Sequence, residues 1–233
     1  MNAITRGGIE FIAVLFGLSI SLWIDNTAKE NELKIQNKKI LNRLYHNLLA
    51  DSTDGTWNFK AYERGIRGSE NVIKWCDNNP TFASIDDSIE KDISAMMITT
   101  IFVHNEEEYI ALKNSGRTDL ITNEDLVIKL HDYYTRIGFI KTLDAFQYDF
   151  VRTKIIPFLS DYSDENLFIE GAENSVVYEN FPKINLYKMP EVKKMRFYAS
   201  NMLTWQRYTK SWYSGQVRRV TEIRKLLREE LNL

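Results

Sequence analysis

Apolar residues follow one another almost without interruption near the start of the chain, in the segment GGIEFIAVLFGLSISLWI, residues 7–24. From Ile9 to Ile24 the only ionisable residue is Glu10, and no proline interrupts the run. At about 1.5 Å rise per residue, a helix of this length covers most of a hydrocarbon layer about 30 Å thick. The pattern therefore predicts a transmembrane anchor over residues 1–26, followed by a more polar region over residues 27–233.

Beyond the anchor, apolar positions recur at intervals of three and four residues, which is typical of amphipathic helices. The positions from Leu33 to Leu48 continue the helix of the anchor, and we expect a turn at residues 51–54. The apolar run 95–103 is too short for a membrane span and is expected in the core. We predict an all-α protein, with the transmembrane helix followed by an antiparallel helical bundle and a long C-terminal helix.

Local signals mark the ends of several predicted helices. Ser84 opens a capping-box pattern, Asn105 occupies an N-cap position, and either Asn123 or Thr122 caps the long helix that follows. Pro190 suits the first turn of the final helix, whose apolar stripe includes Met195, Met202, Trp205, Trp212, Val220, Ile223 and Leu227. Residues 160–189 break the periodicity, and we expect a packed irregular excursion there.

Three small residues, Ala13, Gly17 and Ser21, recur every four positions in the anchor. Such a stripe lets a second helix approach closely in lipid. Glu10 shares this face by its i, i+3 and i, i+7 spacing. Its carboxyl group either reaches the membrane interface or makes an inter-helix hydrogen bond or ion contact. The stripe predicts binding to another transmembrane helix, from a second copy or from a larger membrane complex.

The anchor closes with Trp23, Asp25 and Asn26, residues of the kind found at the membrane interface. A cleaved signal peptide is the rival interpretation, because Arg6 precedes the apolar run; we expect the segment to be retained. Arg6 is the only basic residue ahead of the apolar run. Because basic residues are more numerous after it, the positive-inside rule favours a cytoplasmic domain; these residues are Lys29, Lys34, Lys38, Lys39 and Arg43.

One block of residues resembles a family of uncharacterised bacterial single-pass membrane proteins. It comprises Glu10, Gly17, Leu22, Ile24 and Asn26 and, after a charged stretch, Leu41, Arg43, Leu44, Leu48 and Asp51. A second similar block comprises Ala111, Leu112, Ser115, Gly116, Ile121, Asn123, Leu126, Leu130, Tyr133 and Tyr134. The resemblance implies an anchor in the bacterial inner membrane and a helical domain on its periplasmic side, and it implies no biochemical activity. The charge count and the resemblance thus favour opposite sides of the membrane, and the side is left open.

The formal net charge of −2 and the pI of about 6.0 provide no overall field for nucleic acid, so none is expected as a partner. Charge is unevenly placed: residues 51–108 carry a net −7 and residues 183–233 a net +8. Either the acidic and basic helices pack against each other, or the C-terminal helix contacts anionic headgroups or an acidic partner. Candidate contact residues are Lys193, Lys194, Arg207, Arg218 and Arg219.

Signatures of catalysis, cofactor binding or metal binding are absent from the sequence. His46, His104 and His131 lie far apart, and there is no HExxH, paired CxxC, phosphate-binding glycine loop or nucleophile elbow. The single cysteine, Cys76, sits in an apolar helical pattern typical of a buried side chain. We therefore expect no catalytic, cofactor-binding or metal site, and no enzyme activity.

Two functions remain compatible with this pattern. The first is a membrane-anchored structural or interaction protein, acting as a homo-oligomer or as an accessory subunit of a membrane complex. The alternative is a membrane-anchored sensor that binds a small ligand in an aromatic-rich core, for which the candidate aromatic residues are Trp57, Tyr62, Trp75, Tyr133, Tyr134, Trp205 and Trp212.

Overall fold

The computed structural model describes residues 3–79, 87–162, 186 and 190–232, and these residues are predominantly helical. The all-α class and the long C-terminal helix are confirmed, and the described ranges contain no β-strand. The helices are α1 Ala3–Asn78, α2 Asp87–Met96, α3 Glu107–Asn114, α4 Glu124–Phe150, α5 Ile156–Ser160 and α6 Val192–Leu231. A 3₁₀ turn, Arg117–Leu120, precedes α4, and a π-helical turn, Val151–Ile155, joins α4 to α5. The capping signal at Ser84 and nearly all of the excursion predicted at 160–189 lie outside the described residues.

Helix α1 runs through the predicted boundary between residues 26 and 27 without a break. The turn predicted at residues 51–54 is wrong, because α1 continues helically to Asn78. The carboxylate of Asp51 is buried and accepts hydrogen bonds from the backbone N–H of Asn105, at 3.0 Å, and from the hydroxyl of Tyr133, at 2.8 Å. Asp51 therefore stabilises distant segments instead of ending its own helix.

Helix α6 lies antiparallel along α1. Residue pairs from the two helices show the direction: Arg196 contacts Asp77, Arg207 contacts Glu70, Lys210 contacts Glu63 and Arg224 contacts Tyr45. The acidic and basic helices thus pack together, as the first interpretation of the charge pattern expects. Exposed ion pairs of this kind contribute at most about 1 kcal/mol each, so apolar packing has to supply most of the stability.

Buried apolar side chains form two clusters along the α1–α6 axis. The first contains Leu44, Leu48, Leu126, Leu130, Ile137, Val220, Ile223 and Leu227 among others. The second contains Val72, Ile93, Met96, Ile155, Met195 and Met202 among others. Between them the core is polar, with the buried side chains of Ser69, Asp144, Gln147, Gln206 and Thr209.

An extended segment, residues 97–106, crosses the helices and is called the strap here. The prediction that this apolar run is buried is only partly correct: Phe102 is buried, whereas Ile101 and Val103 are exposed. The predicted N-cap at Asn105 is wrong, because α3 begins after Glu106 and the Asn105 amide is directed at Asp51. The N-cap at Asn123 is confirmed by the hydrogen bond that its side chain accepts from the Leu126 N–H, at 3.1 Å.

The buried stripe of α6 differs from the predicted one in its central turns. Trp205 and Trp212 are only half-buried and pack against Phe146 and Phe139 of α4, with ring centroids 4.7 and 4.6 Å apart. The apolar ends of the stripe are confirmed as buried at Met195, Met202, Val220, Ile223 and Leu227, while its centre buries Gln206, Thr209, Tyr213 and Gln216. Pro190 lies just before the helix and not in its first turn.

Helix α2 lies in close contact with α1 at Gly68. A Cβ atom at this position would lie 2.7 Å from the carbonyl oxygen of Asp92 and 2.8 Å from the backbone nitrogen of Met96. Backbone atoms cannot move aside as the end of a flexible side chain can. Glycine is therefore required here for the two helices to pack.

We expect Gly68→Ala to lower the free energy of unfolding by about 1–3 kcal/mol, because overpacking forces α2 away from α1. Gly138→Ala is the matched control, since Gly138 is an exposed glycine of α4 whose added Cβ would meet no atom within 4 Å. The control should be neutral or stabilising by up to about 1 kcal/mol, because alanine favours helix. Urea unfolding of the full chain in mild detergent measures both; equal effects of the two substitutions would contradict the prediction.

Candidate membrane-helix interface

The N-terminal part of α1 exposes its apolar side chains on every side. Phe11, Phe16, Leu22 and Trp23 are all more than 60% exposed. By length and composition this helix could cross a membrane, and none of its apolar window is buried within the protein. The segment is therefore not part of the core formed by the described residues.

The structure places Ala13, Gly17 and Ser21 on one face of α1, as predicted, and all three are exposed. A Cβ atom on Gly17 would meet nothing within 4 Å, so the face is open to another chain. Glu10 belongs to the same helix, but its side chain lies outside the described part. Whether Glu10 reaches the interface or a partner therefore stays a prediction.

Polar contacts begin where the apolar run ends. Trp23, Asp25 and Asn26 are exposed, and the carboxylate of Asp25 lies 3.5 Å from the ammonium of Lys29 one turn later. Residues 27–36 form a largely exposed stalk, and Asn37 is the first buried residue of α1 after the apolar run. At about 1.5 Å per residue, the stalk separates the apolar segment from the helical domain by about 15 Å.

The predicted basic contact residues do not form one patch. Lys193 and Lys194 lie in the first turn of α6, and the Lys194 ammonium lies 5.1 Å from the ring centre of Phe158. Arg218 and Arg219 lie about 36 Å further along the helix, where Arg219 pairs with Asp132 at 3.3 Å. Arg207 lies between them and pairs with Glu70, at 2.6 Å.

The strongest polar site in the domain surrounds Asp144, which the sequence analysis did not single out. Its carboxylate accepts hydrogen bonds from the hydroxyls of Tyr62, at 2.9 Å, and Tyr213, at 2.5 Å. It also accepts one from the backbone N–H of Phe102 in the strap, at 3.2 Å. One side chain of α4 thus links α1, α6 and the strap.

Two further carboxylates hold the strap from the α1 side. Besides the contacts of Asp51 described above, Asp54 accepts hydrogen bonds from the backbone N–H of Val103, at 3.0 Å, and from the amide of Asn58, at 2.8 Å. The strap runs beside helices and not beside another strand, so its N–H groups lack a sheet partner. The carboxylates satisfy donors that would cost about 1–3 kcal/mol each if buried without an acceptor.

Burial is the main influence on these acidic groups. It raises the pKa of Asp144 to about 6, against the lowering effect of the hydrogen bonds from Tyr213, Tyr62 and Phe102. Burial likewise raises the pKa of Asp51 and of Asp54. Because the hydroxyls of Tyr62 and Tyr213 and the backbone N–H of Phe102 all donate to Asp144, the arrangement is suited to joining these three segments.

The aromatic residues proposed for a ligand-binding core are dispersed. Trp57 is exposed, Trp205 and Trp212 lie at the surface between α4 and α6, and Tyr134 stacks on Tyr109 with ring centres 4.2 Å apart. Four cavities along the described residues are open grooves of about 150 to 260 Å³. Drug-sized ligands usually occupy pockets of about 300–1,000 Å³.

Metal-ligating side chains do not converge anywhere in the described ranges, where no group of three His, Cys, Asp or Glu residues could hold an ion. Cys76 is buried, and burial raises the pKa of its thiol to about 11, which keeps it protonated. Known proteins offer no further guide: no family model, no curated protein and no solved structure matches this chain. The interpretation of the site therefore depends on its own geometry.

We expect stability to fall as pH rises through the pKa of Asp144. The folded-state pKa is raised from 3.8 to about 6, so the folded protein binds this proton more tightly than the unfolded chain does. Ionisation of Asp144 between pH 4 and pH 7 should cost up to about 3 kcal/mol, at about 1.4 kcal/mol per tenfold difference in proton affinity. Urea unfolding in mild detergent at pH 4, 5, 6 and 7 measures this decline.

In Asp144→Asn the decline should be smaller, because the titrating group is gone while the buried Asp51 and the half-buried Asp54 remain. Asp149→Asn, on an exposed position of the same helix, is the control and should keep the pH dependence of the natural protein. An Asp144→Asn variant with an unchanged pH dependence would show that this carboxyl group does not titrate as the structure indicates.

Proposed function

We propose that this protein is a membrane-anchored structural or interaction protein that acts through contacts of its N-terminal helix and of its helical domain, without catalysis. The observation that carries the proposal is the apolar segment of α1, which is exposed all around and continuous with the helix on which the domain is built. A soluble protein does not usually expose an apolar surface of this size. In a bilayer the same surface is favourable, which supports a single-pass anchor followed by an antiparallel bundle.

The open face at Ala13, Gly17 and Ser21 supports association with a second transmembrane helix. Without a hydrophobic driving force inside lipid, helices associate where small residues allow close packing. The partner is either a second copy or a subunit of a larger membrane complex. The inner membrane of a bacterium, which the family resemblance implies, is the proposed location, and the side of the domain stays open.

Geometry favours a protein partner over headgroups for the basic residues at the start of α6. Asp77, the partner of Arg196, lies about 77 Å along α1 from Asn26, at about 1.5 Å per residue. Lys193 and Lys194, one turn away, would therefore stand far from the bilayer that holds the anchor. Electrostatic attraction to headgroups is screened within about 10 Å. An acidic surface on another protein is the more suitable partner for these two lysines.

A sensor that binds a small ligand is the alternative, and the structure gives it less support than the interaction protein. Most polar groups that converge inside the domain bind each other: Tyr62 and Tyr213 donate to Asp144, and Gln147 donates to Thr209 at 2.7 Å, while only the Gln147 Oε1 atom of this cluster lacks a partner. A ligand would have to replace these hydrogen bonds. The four grooves described above are also small and open.

We expect Gly17→Leu to weaken assembly in mild detergent by about tenfold, equivalent to about 1.4 kcal/mol, because a large side chain separates the helices. Ser19→Leu is the matched control, since Ser19 lies roughly opposite Gly17 on α1 and its hydroxyl donates only to the carbonyl of Leu15. Mass measurement by light scattering and identification of co-purified chains report the result. Equal assembly of all three proteins, or release of the chain from membranes by carbonate washing, would contradict the proposal.

A further inference from the structure

Aromatic side chains of α4 and α6 meet in two pairs at the surface of the domain. Phe146 packs on Trp205 with ring centres 4.7 Å apart, and Phe139 packs on Trp212 at 4.6 Å. The pairs are seven residues apart on both helices, a step of about 10.5 Å that keeps them on the same side. Tyr208 lies between the two tryptophans, 6.3 Å from each ring centre. These five residues are called the aromatic groove here.

The aromatic groove is open to solvent. Phe139 is 41% exposed, Phe146 is 48% exposed and Tyr208 is 45% exposed, while the two tryptophans are half-buried. A contiguous exposed apolar surface marks an interaction site. Tryptophan, tyrosine and arginine carry most of the binding energy at protein interfaces. The composition of the groove is therefore that of a protein-binding surface.

The next step of seven residues along both helices is charged. Arg219 contacts Asp132, at 3.3 Å, and Arg136 binds the same carboxylate, at 2.7 Å. The Arg136 guanidinium also lies 6.0 Å from the ring centre of Trp212, so this charge borders the aromatic groove. Arg218 lines the same surface as Arg219 and has no ion-pair partner among the residues that the structure describes. Three arginines thus share one carboxylate.

Neighbouring carboxylates leave this end of the surface positively charged. Glu222 lines it too, but pairs with Lys129 at 3.2 Å, and Asp125 lies 4.0 Å from the same ammonium. Burial lowers the pKa of Arg219, and the charges of the other two arginines lower it further. The three guanidinium groups therefore lie close enough to repel one another. A carboxylate from a partner would relieve this repulsion.

The aromatic groove itself carries no charge. Beyond Phe146, Asp149 pairs with Arg152 at 3.2 Å, and Arg207 and Lys210 on α6 pair with α1. The outward positions beside the rings are uncharged, namely Thr142 of α4 and Asn201, Thr204, Ser211 and Gly215 of α6. The surface thus combines an aromatic part with a cationic end that points along the same two helices.

A helix of another protein matches this arrangement. Its residues at i and i+7 lie about 10.5 Å apart on one side, so they contact the two aromatic pairs, and a residue at i+3 or i+4 contacts Tyr208. A further step of seven residues places an acidic side chain beside Arg136, Arg218 and Arg219. Complementary charge at one end also sets the direction in which such a helix binds.

Nucleic acid and lipid headgroups fit this surface less well. Neighbouring rings meet at angles of 52° to 88°, edge against face, whereas single-stranded nucleic acid stacks on free ring faces and needs positive charge along the whole groove. Tyr45, the partner of Arg224, lies about 28 Å along α1 from Asn26, and the groove lies farther still. Attraction to headgroups is screened within about 10 Å.

We propose that an acidic amphipathic helix of another protein binds along α4 and α6, with apolar side chains on the aromatic groove and carboxylates at Arg136, Arg218 and Arg219. The inference deepens the proposed function, because it names the chemistry of a partner for the helical domain. It rests on the proposed anchoring only for the exclusion of headgroups.

Fluorescence anisotropy with the full chain in mild detergent tests the inference with a designed helical peptide of about 20 residues. The peptide carries leucines at i, i+4 and i+7 and glutamates about seven residues further along. The matched probe has lysines in place of the glutamates. We expect the glutamate peptide to bind at least about tenfold more tightly than the lysine peptide, and to bind less tightly as the salt concentration rises.

Substitutions on the surface locate the binding. Arg218→Glu should weaken binding of the glutamate peptide about fivefold and strengthen binding of the lysine peptide, because it reverses an exposed charge. Tyr208→Ser should weaken binding of both peptides about tenfold. The matched controls are Lys141→Glu and Tyr148→Ser, two exposed positions on the opposite side of α4, and neither should change binding.

Equal binding of the glutamate and lysine peptides, or unchanged binding to Tyr208→Ser, would overturn the inference. A dimeric mass that Tyr208→Ser abolishes and Gly17→Leu leaves intact would also overturn it, because a second copy would then occupy the groove. Loss of assembly in Gly17→Leu is separate from peptide binding, which this variant should keep. Peptide binding by a chain that carbonate washing releases from membranes would contradict the proposed anchoring and support the inference.

Discussion

Two buried carboxylates and one half-buried carboxylate hold the strap against three helices, and the arrangement of the domain depends on these contacts. An extended segment that enters a helical core brings backbone N–H groups that no helix can satisfy. Asp51, Asp54 and Asp144 accept hydrogen bonds from three of them. Each carboxylate loses hydration when it is buried, and the hydroxyls of Tyr133, Tyr62 and Tyr213, with the amide of Asn58, compensate part of that cost. Hydrogen bonds between these side chains thereby connect α1, α4 and α6, in addition to the contacts of the apolar core.

Helix α1 is one continuous helix whose two parts have different surroundings. Its first part is apolar on all sides, whereas its later part is apolar on the side that meets α6 and the strap. No break separates the two parts. The angle about the helix axis between the small-residue stripe and the side covered by the domain is therefore fixed. The exposed stalk of residues 27–36 adds distance without changing this relation. A contact made in the membrane would therefore determine how the domain is presented to other proteins.

Much of the fold could be predicted from local patterns, and the exceptions share one cause. The all-α class, the N-cap at Asn123 and the apolar ends of α6 follow from helical periodicity and capping chemistry. The turn expected at residues 51–54 failed because aspartate near serine and threonine resembles a helix end, whereas Asp51 in fact serves a distant backbone. The polar centre of the α6 stripe was missed for the same reason. Gln206 is buried because it donates to the carbonyl of Met96 and accepts from Ser69.

For the proposed interface, the sequence by itself determined the apolar segment, its small residues and the charged stretch that follows, because composition and spacing depend only on neighbouring positions. Only the tertiary structure decided which side of α1 the domain covers. It thereby showed that the stripe at Gly17 lies on the uncovered side. It also decided that Asp144 joins three segments. The physical reason is that burial and hydrogen-bond partners are set by residues far apart in the chain, which no local pattern contains.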